Sequence, residues 1–114
     1  MSIAPVKEVL EYLSELQGLV NDGDYNKVTL TDFTDKINQC VNIISNIDNK
    51  QIIMNNGIII DCGKCLTLLK ELEDEFSRIM DGNLYSDFKR SSSNKKVSGI
   101  IAAVQKCDAE LKKI

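Results

Sequence analysis

The sequence contains four segments in which apolar residues recur at intervals of three or four positions. This spacing places the apolar residues of each segment on one face of an α-helix. The four faces consist of Val6, Val9, Leu13, Leu16 and Val20; of Phe33, Ile37, Cys40, Ile44 and Ile47; of Ile58, Cys62, Cys65, Leu69, Leu72, Phe76 and Ile79; and of Val97, Ile100, Val104, Cys107, Leu111 and Ile114. We therefore predict helices over residues 4–21, 30–47, 52–80 and 95–113.

Residues that favour helix ends lie at several of these boundaries. Pro5 suits a first helical turn, and Gly23 and Gly82 suit helix ends. Thr29 followed by Asp32 resembles a capping box and predicts the start of the second helix.

Two apolar runs in the third segment, residues 51–53 and 58–60, are alternatively interpreted as buried strand fragments. Each run is short and falls within the helical spacing. The third helix is therefore predicted to include both.

The predicted helices define the fold class. A chain of 114 residues with 43% hydrophobic and 27% charged residues is a single globular domain. Helices joined by short connections pack as antiparallel neighbours. We predict an all-α protein, an antiparallel up-down-up-down four-helix bundle that spans residues 1–114.

Charge and composition exclude several classes of function. The net charge of −3 argues against a nucleic-acid-binding domain, which needs a basic excess. The chain has no histidine, the commonest general base and metal ligand. No signal sequence or membrane-spanning run is evident. We predict a cytoplasmic protein without enzymatic activity or cofactor.

The four cysteines allow two interpretations. Cys62 and Cys65 form a C-x-x-C motif, and Cys40 and Cys107 would complete a four-thiolate zinc site. Each cysteine also occupies an inward position that leucine or valine could fill, and free cysteines are often buried. We predict that they pack in the core as free thiols, with metal binding as the alternative.

The segment from 88 to 96 is basic and rich in serine. It contains Lys89, Arg90, Lys95 and Lys96 and no acidic residue. Such a cluster is typical of surfaces that bind anionic lipid headgroups, although it also fits a solvated loop between helices. Phosphorylation of Ser91, Ser92 or Ser93 would cancel much of its positive charge.

The second half of the chain carries a broader pattern. Cys62, Cys65, Leu66, Leu69 and Leu72 are followed by the basic link and by a last helix with the same spacing. This pattern resembles the helical N-terminal domains of cell-death and innate-immunity proteins, namely the mixed-lineage kinase domain-like pseudokinase bundle and the fungal HeLo-like domains. The resemblance implies a signalling bundle that oligomerises and contacts membrane phosphoinositides through basic residues.

Within that resemblance, the positions that match the lipid-binding role are Lys89, Arg90, Lys95 and Lys96. The first helix differs from the very apolar leading helix of many HeLo-like domains, because Glu8, Glu11 and Glu15 face outward. The resemblance therefore implies assembly and peripheral membrane contact more than pore formation.

Three functional hypotheses follow. The first is a non-enzymatic signalling or assembly bundle that binds a protein partner or itself, with anionic lipid bound by the basic segment. The second is a small acidic adaptor or inhibitor, of an immunity or virulence type, that binds a partner enzyme; the acidic stretch from Glu71 to Glu75 favours it. The third is a bundle that binds the cytoskeleton.

Overall fold

The computed structural model describes residues 3–22, 27–82 and 95–113, with side chains for residues 3–19, 30–78 and 99–113. The described part is mostly helical, with four helices and one small sheet. Its elements are α1 (Ala4–Asp22), α2 (Lys27–Ser45), β1 (Gln51–Ile53), β2 (Ile59–Asp61), α3 (Cys62–Gly82) and α4 (Lys95–Leu111). α1 and α4 begin at the predicted residues, whereas α1 ends one residue later than predicted and α4 two residues earlier.

The third predicted helix, 52–80, is wrong in its first part. Residues 51–61 form an antiparallel hairpin in which Ile52 pairs with Ile60 and Ile53 with Ile59, and α3 begins only at Cys62. Isoleucine is branched at Cβ and favours a strand, and the two isoleucine-rich runs flank a turn sequence. The strand interpretation of residues 51–53 and 58–60 therefore describes this region better, and the protein is not purely α-helical.

The start of α2 also differs from its prediction. The helix begins at Lys27, so the backbone of Thr29 is already helical and cannot be an N-cap. At the other end, α2 stops at Ser45, and Ile47 lies beyond it.

The four helices share one hydrophobic core. α1 packs against α2 and α4, and α3 packs against the same two helices. The Phe33 ring of α2 stacks on the Phe76 ring of α3, with 5.4 Å between their centroids. The predicted inward positions with described side chains are buried, with the exception of Ile47 and Ile58.

The hairpin closes part of this core. Ile52 and Ile60 are 2% and 0% exposed and belong to the same buried cluster as the helices. β1 contacts α3 and β2 contacts α4. Within the described ranges, no helix combines the length and the apolar character needed to cross a membrane.

Candidate functional site

The hairpin between α2 and α3 turns at residues 54–57. The N–H of Gly57 donates to the carbonyl of Met54 (2.9 Å), and the N–H of Met54 donates to the carbonyl of Ile58 (2.8 Å). The Asn56 side-chain oxygen accepts a hydrogen bond from the Ile58 N–H at 3.1 Å. Gly57 has a φ of 83°, which residues with a Cβ adopt only at a cost.

The two faces of the hairpin are in opposite environments. Because side chains alternate along a strand, Ile52 and Ile60 point into the core while Ile53 and Ile59 point away from it. Ile53 is 70% exposed and Ile59, directly opposite on the other strand, is 50% exposed. Ile58 is 40% exposed. We call the cross-strand pair of Ile53 and Ile59 the hairpin outer face.

A groove lies beside this surface. It has a volume of about 330 Å³ and is lined by Ile3, Ile52, Ile53, Met54, Asn55 and Asn56. One wall is therefore the β1 strand, and another comes from the start of the chain. The groove runs from Ile53 towards Ile3, just before α1, and Asn55 and Asn56 make part of its lining polar.

Lys50 joins the hairpin to the helices on either side. Its ammonium donates to the carbonyls of Ser45, at 3.1 Å, and of Ile47, so it binds the chain where α2 ends. Its own carbonyl accepts hydrogen bonds from the N–H groups of Cys62 (2.7 Å) and Gly63 (3.3 Å), the first two residues of α3. One residue thus satisfies backbone groups at both helix ends.

Two carboxylates complete this joint. Asp61 is the N-cap of α3, because its Oδ1 accepts a hydrogen bond from the Lys64 N–H at 3.0 Å. The Asp61 N–H in turn donates to Oε2 of Glu110 on α4, at 3.4 Å. The hairpin is therefore fixed to α2, α3 and α4 by polar contacts as well as by its two buried isoleucines.

A second, larger groove lies between the start of α1 and the end of α2. Its volume is about 560 Å³, and its lining comprises Pro5, Glu8, Ile43, Asn46, Ile47, Asp48 and Asn49. Most lining residues of both grooves come from one stretch of sequence, residues 43–56, that contains few charged side chains. Between Lys36 and Asp61 only Asp48 and Lys50 carry a charge, although the chain has 14 basic and 17 acidic residues.

The four cysteines are fully buried in the core, as their inward register predicts. Cys65 on α3 and Cys107 on α4 face each other, and each thiol lies 3.8 Å from the other's backbone carbonyl oxygen. The hydrogen bond with Cys107, together with burial, raises the pKa of the Cys65 thiol. Burial raises the pKa of Cys40 to about 12 and that of Cys62 to about 11.

The thiols of Cys40, Cys62 and Cys65 are therefore neutral at physiological pH, and neutral thiols are weak nucleophiles. In the part of the chain that the structure describes, no three Cys, Asp, Glu or His residues lie close enough together to hold a metal ion. The four-thiolate arrangement considered from the sequence is not formed by these residues.

The predicted basic site is placed only in part. Lys89, Arg90, Ser91, Ser92 and Ser93 lie outside the described residues. Lys95 and Lys96 are the first two residues of α4, where the structure describes only the backbone. Lipid binding and phosphorylation in this segment stay predictions.

Sequence reasoning missed the hairpin outer face, although a local signal for it exists. Asn56-Gly57 stands between two isoleucine-rich runs, and an Asn-Gly pair flanked by β-branched residues is among the strongest hairpin signals. The regular spacing of apolar residues from Ile58 onward concealed this signal, because Ile58 fits the helical register of α3.

Comparisons with known proteins give no family. No protein-family description, curated protein or solved structure matches the chain. Its function must therefore be inferred from its own residues.

Proposed function

We propose that this chain is a non-enzymatic assembly module that binds another protein chain through the hairpin outer face. The observation that carries the proposal is the cross-strand pair of Ile53 and Ile59, which are 70% and 50% exposed. Apolar side chains gain free energy when a partner removes them from water, and a contiguous apolar patch marks interaction sites on soluble proteins.

The way the hairpin is held supports this role. Lys50, Asp61 and Glu110 fix it to three helices through hydrogen bonds, and Ile52 and Ile60 anchor its inner side. A surface that is already rigid loses little conformational entropy on binding. The hairpin outer face is therefore suited to recognition in the shape that the free chain already has.

We also propose that the helices form an antiparallel up-down-up-down bundle, with the hairpin at one end. Two contacts support this arrangement. Lys50 bonds the end of α2 and the start of α3, and the Asp61–Glu110 hydrogen bond joins the start of α3 to the end of α4. In such a bundle the hairpin covers the core with one side and presents the other to a partner.

A charge placed on the hairpin outer face tests the proposal. Ile59→Lys would put an ammonium on the binding surface without touching the core, since Ile59 is half-exposed. Gln105→Lys, which adds the same side chain at an exposed position of α4, is the matched control. Partners captured from the source cells are identified, purified and titrated against the wild type and both variants.

We expect Ile59→Lys to weaken binding at least about tenfold, because burying an unpaired charge is costly, and Gln105→Lys to bind like the wild type. Circular dichroism and the urea midpoint verify that both variants are folded. Equal affinities for the three folded proteins would mean that the partner binds elsewhere and that the hairpin proposal is wrong.

The resemblance to cell-death bundles motivates a wider form of the proposal. In it the chain is a cytoplasmic signalling protein, and the basic segment with Lys89, Arg90, Lys95 and Lys96 adds peripheral contact with anionic membranes. Sedimentation with phosphoinositide vesicles tests this part. Charge reversal at the four positions should abolish co-sedimentation, while Ile59→Lys should leave it unchanged.

The acidic adaptor or inhibitor is the second candidate. The exposed side chains of Glu71 and Asp74 on α3 favour it, because they offer an acidic helix face to a basic partner. The same titration separates the two candidates. Charge reversal at Glu71 and Asp74 should weaken binding if the acidic face is the site, whereas Ile59→Lys should weaken it if the hairpin is.

A further inference from the structure

Two cysteines from different helices meet inside the core. Cys65 of α3 and Cys107 of α4 are 42 positions apart in sequence, and each Sγ lies 3.8 Å from the backbone carbonyl oxygen of the other residue. The two thiols also hydrogen-bond to each other, and both residues are 0% exposed. Because each sulfur touches the backbone of the other residue, no third side chain separates the pair.

The C-x-x-C motif favours a different partner for Cys65, namely Cys62. Both residues of the motif lie in the first turn of α3. Positions three apart on a helix have Cβ atoms about 5–6 Å apart, whereas a disulfide needs about 3.5–4.5 Å. That link would therefore distort a turn whose first two N–H groups are held by the Lys50 carbonyl.

We propose that Cys65 and Cys107 are a redox-sensitive pair, which hydrogen peroxide converts to a disulfide that ties α3 to α4. One thiol, once deprotonated, attacks a peroxide oxygen and breaks the O–O bond, which leaves a sulfenic acid and one water. The other sulfur then attacks the sulfenic sulfur, forms the S–S bond and displaces a second water. Two thiols and one peroxide thus give one disulfide and two waters, with sulfur oxidised and the peroxide oxygens reduced.

Burial makes this conversion slow in both directions. A neutral thiol reacts weakly with peroxide, so oxidation requires a local opening of the core around Cys65 and Cys107. The same core shields the disulfide from reductants once the helices have closed over it. The pair therefore responds to lasting oxidation, and its disulfide persists after the peroxide has gone.

The disulfide changes what the helices can do. It closes a loop between positions 65 and 107, which restricts the unfolded chain and stabilises the folded one. It also prevents α3 and α4 from separating. Any rearrangement of the protein that parts these two helices is therefore blocked in the oxidised form, whatever the hairpin outer face binds.

Disulfide mapping of the full chain tests the proposal. The folded protein is treated with hydrogen peroxide, its remaining thiols are blocked, and it is digested without reductant for mass spectrometry. We expect one cross-linked peptide that joins Cys65 to Cys107, has lost two hydrogens and is released by dithiothreitol. In urea, oxidation should instead favour the link between Cys62 and Cys65, because the shortest loop closes most readily.

A folded sample that links Cys62 to Cys65, forms only links between copies, or is oxidised to sulfinic acid without a disulfide overturns the inference. Because this mapping uses the unchanged chain, its result does not depend on whether a variant folds.

Variants and denaturation give a second measurement. The oxidised wild type should unfold at a higher urea concentration than the reduced form, and dithiothreitol should abolish the difference. Cys62→Val, which removes the other half of the C-x-x-C motif, should behave like the wild type, whereas Cys107→Val should show no shift on oxidation. Reduction of the folded protein should be at least about tenfold slower than reduction in urea. Equal urea midpoints for the oxidised and reduced wild type would show that the two helices are not tied, and the inference would be wrong.

Discussion

The Glu110 carboxylate on α4 accepts a hydrogen bond from the backbone N–H of Asp61, the last residue of β2, over 3.4 Å. It also binds the Lys113 ammonium at 2.7 Å. The Lys113 contact, aided by the Asp61 N–H, lowers the pKa of Glu110 below its ordinary value of 4.5, although burial acts in the opposite direction. The contact that attaches the hairpin to α4 is therefore strongest when the Glu110 carboxylate is ionised.

Replacement of Glu110 by glutamine should reduce stability in a pH-dependent way. Because the folded-state pKa is lowered, the ionised group contributes stability above about pH 4.5, and that contribution is lost as the pH falls through the folded-state value. Urea denaturation at pH 7 should show a loss of about 1–2 kcal/mol for Glu110→Gln, with a smaller difference from the wild type at pH 3. The exposed Glu71→Gln is the control, and a constant difference at every pH would refute the coupling.

Gly57→Ala should destabilise the protein through the turn alone. Its φ of 83° strains any residue with a Cβ, while no atom lies within 4 Å of the Cβ that alanine would add. We expect a loss of about 1 kcal/mol in the free energy of unfolding. Gly18→Ala is the matched control, since it adds the same methyl group to an open position within α1 and should stabilise the helix by up to about 1 kcal/mol. Equal effects at the two sites would contradict the assigned turn.

Neighbouring isoleucines of β2 should respond in opposite ways to truncation. Ile60 is 0% exposed, so Ile60→Ala leaves a cavity in the core and should cost about 2–5 kcal/mol in chemical denaturation. Ile59 is half-exposed, and Ile59→Ala should change stability by less than about 1 kcal/mol. A helical segment through these residues would not produce this alternation, so similar losses at both positions would count against the hairpin.

The native thiols should resist alkylation. Burial raises the pKa of Cys40 to about 12, well above its ordinary value of 9.0, so the folded protein holds this thiol neutral. We expect iodoacetamide at pH 8 to modify Cys40, Cys62, Cys65 and Cys107 only as fast as the chain unfolds, as followed by mass spectrometry. A Gln105→Cys variant, with one exposed thiol on α4, should gain a single label quickly. Rapid labelling of the wild type would show that the core opens more readily than its packing indicates.

The same shift predicts a loss of stability in alkali. A thiol whose pKa is raised on folding stabilises the protein fully below about pH 9 and less as the pH rises towards 12. Cys40→Val should therefore flatten the decline in the free energy of unfolding between about pH 9 and pH 11 relative to the wild type.

The helical part of the fold follows well from the sequence. Apolar residues three and four positions apart, such as Val9 and Leu13 in α1 or Val104 and Cys107 in α4, are buried as predicted. The prediction succeeds because the helical period is set by local backbone geometry. A helix with one apolar face is buried with that face towards the core. The burial of the cysteines follows for the same reason.

The hairpin did not follow from the periodicity. Ile52 and Ile60 are buried and Ile53 and Ile59 are exposed, which is a period of two. In a run of identical residues such as Ile58-Ile59-Ile60, both periods fit, and the pattern holds no information about which residues face inward. The hydrogen bond between Asp61 and Glu110 also joins residues 49 positions apart in sequence, which local patterns cannot indicate.

Lys50 closes the hairpin at its base, because its carbonyl bonds to the first residues of α3. Lys50 is thus held next to the start of α3, so the connection from α2 to α3 consists in effect of the few residues that precede Lys50. The hairpin, residues 51–61, is a separate loop whose two ends are already joined. Lengthening such a loop at its tip adds only a small closure cost. Insertions between Asn55 and Asn56 should thus be tolerated by the helices, so this tip is where the chain can vary in length, or accept a grafted peptide, without refolding its core.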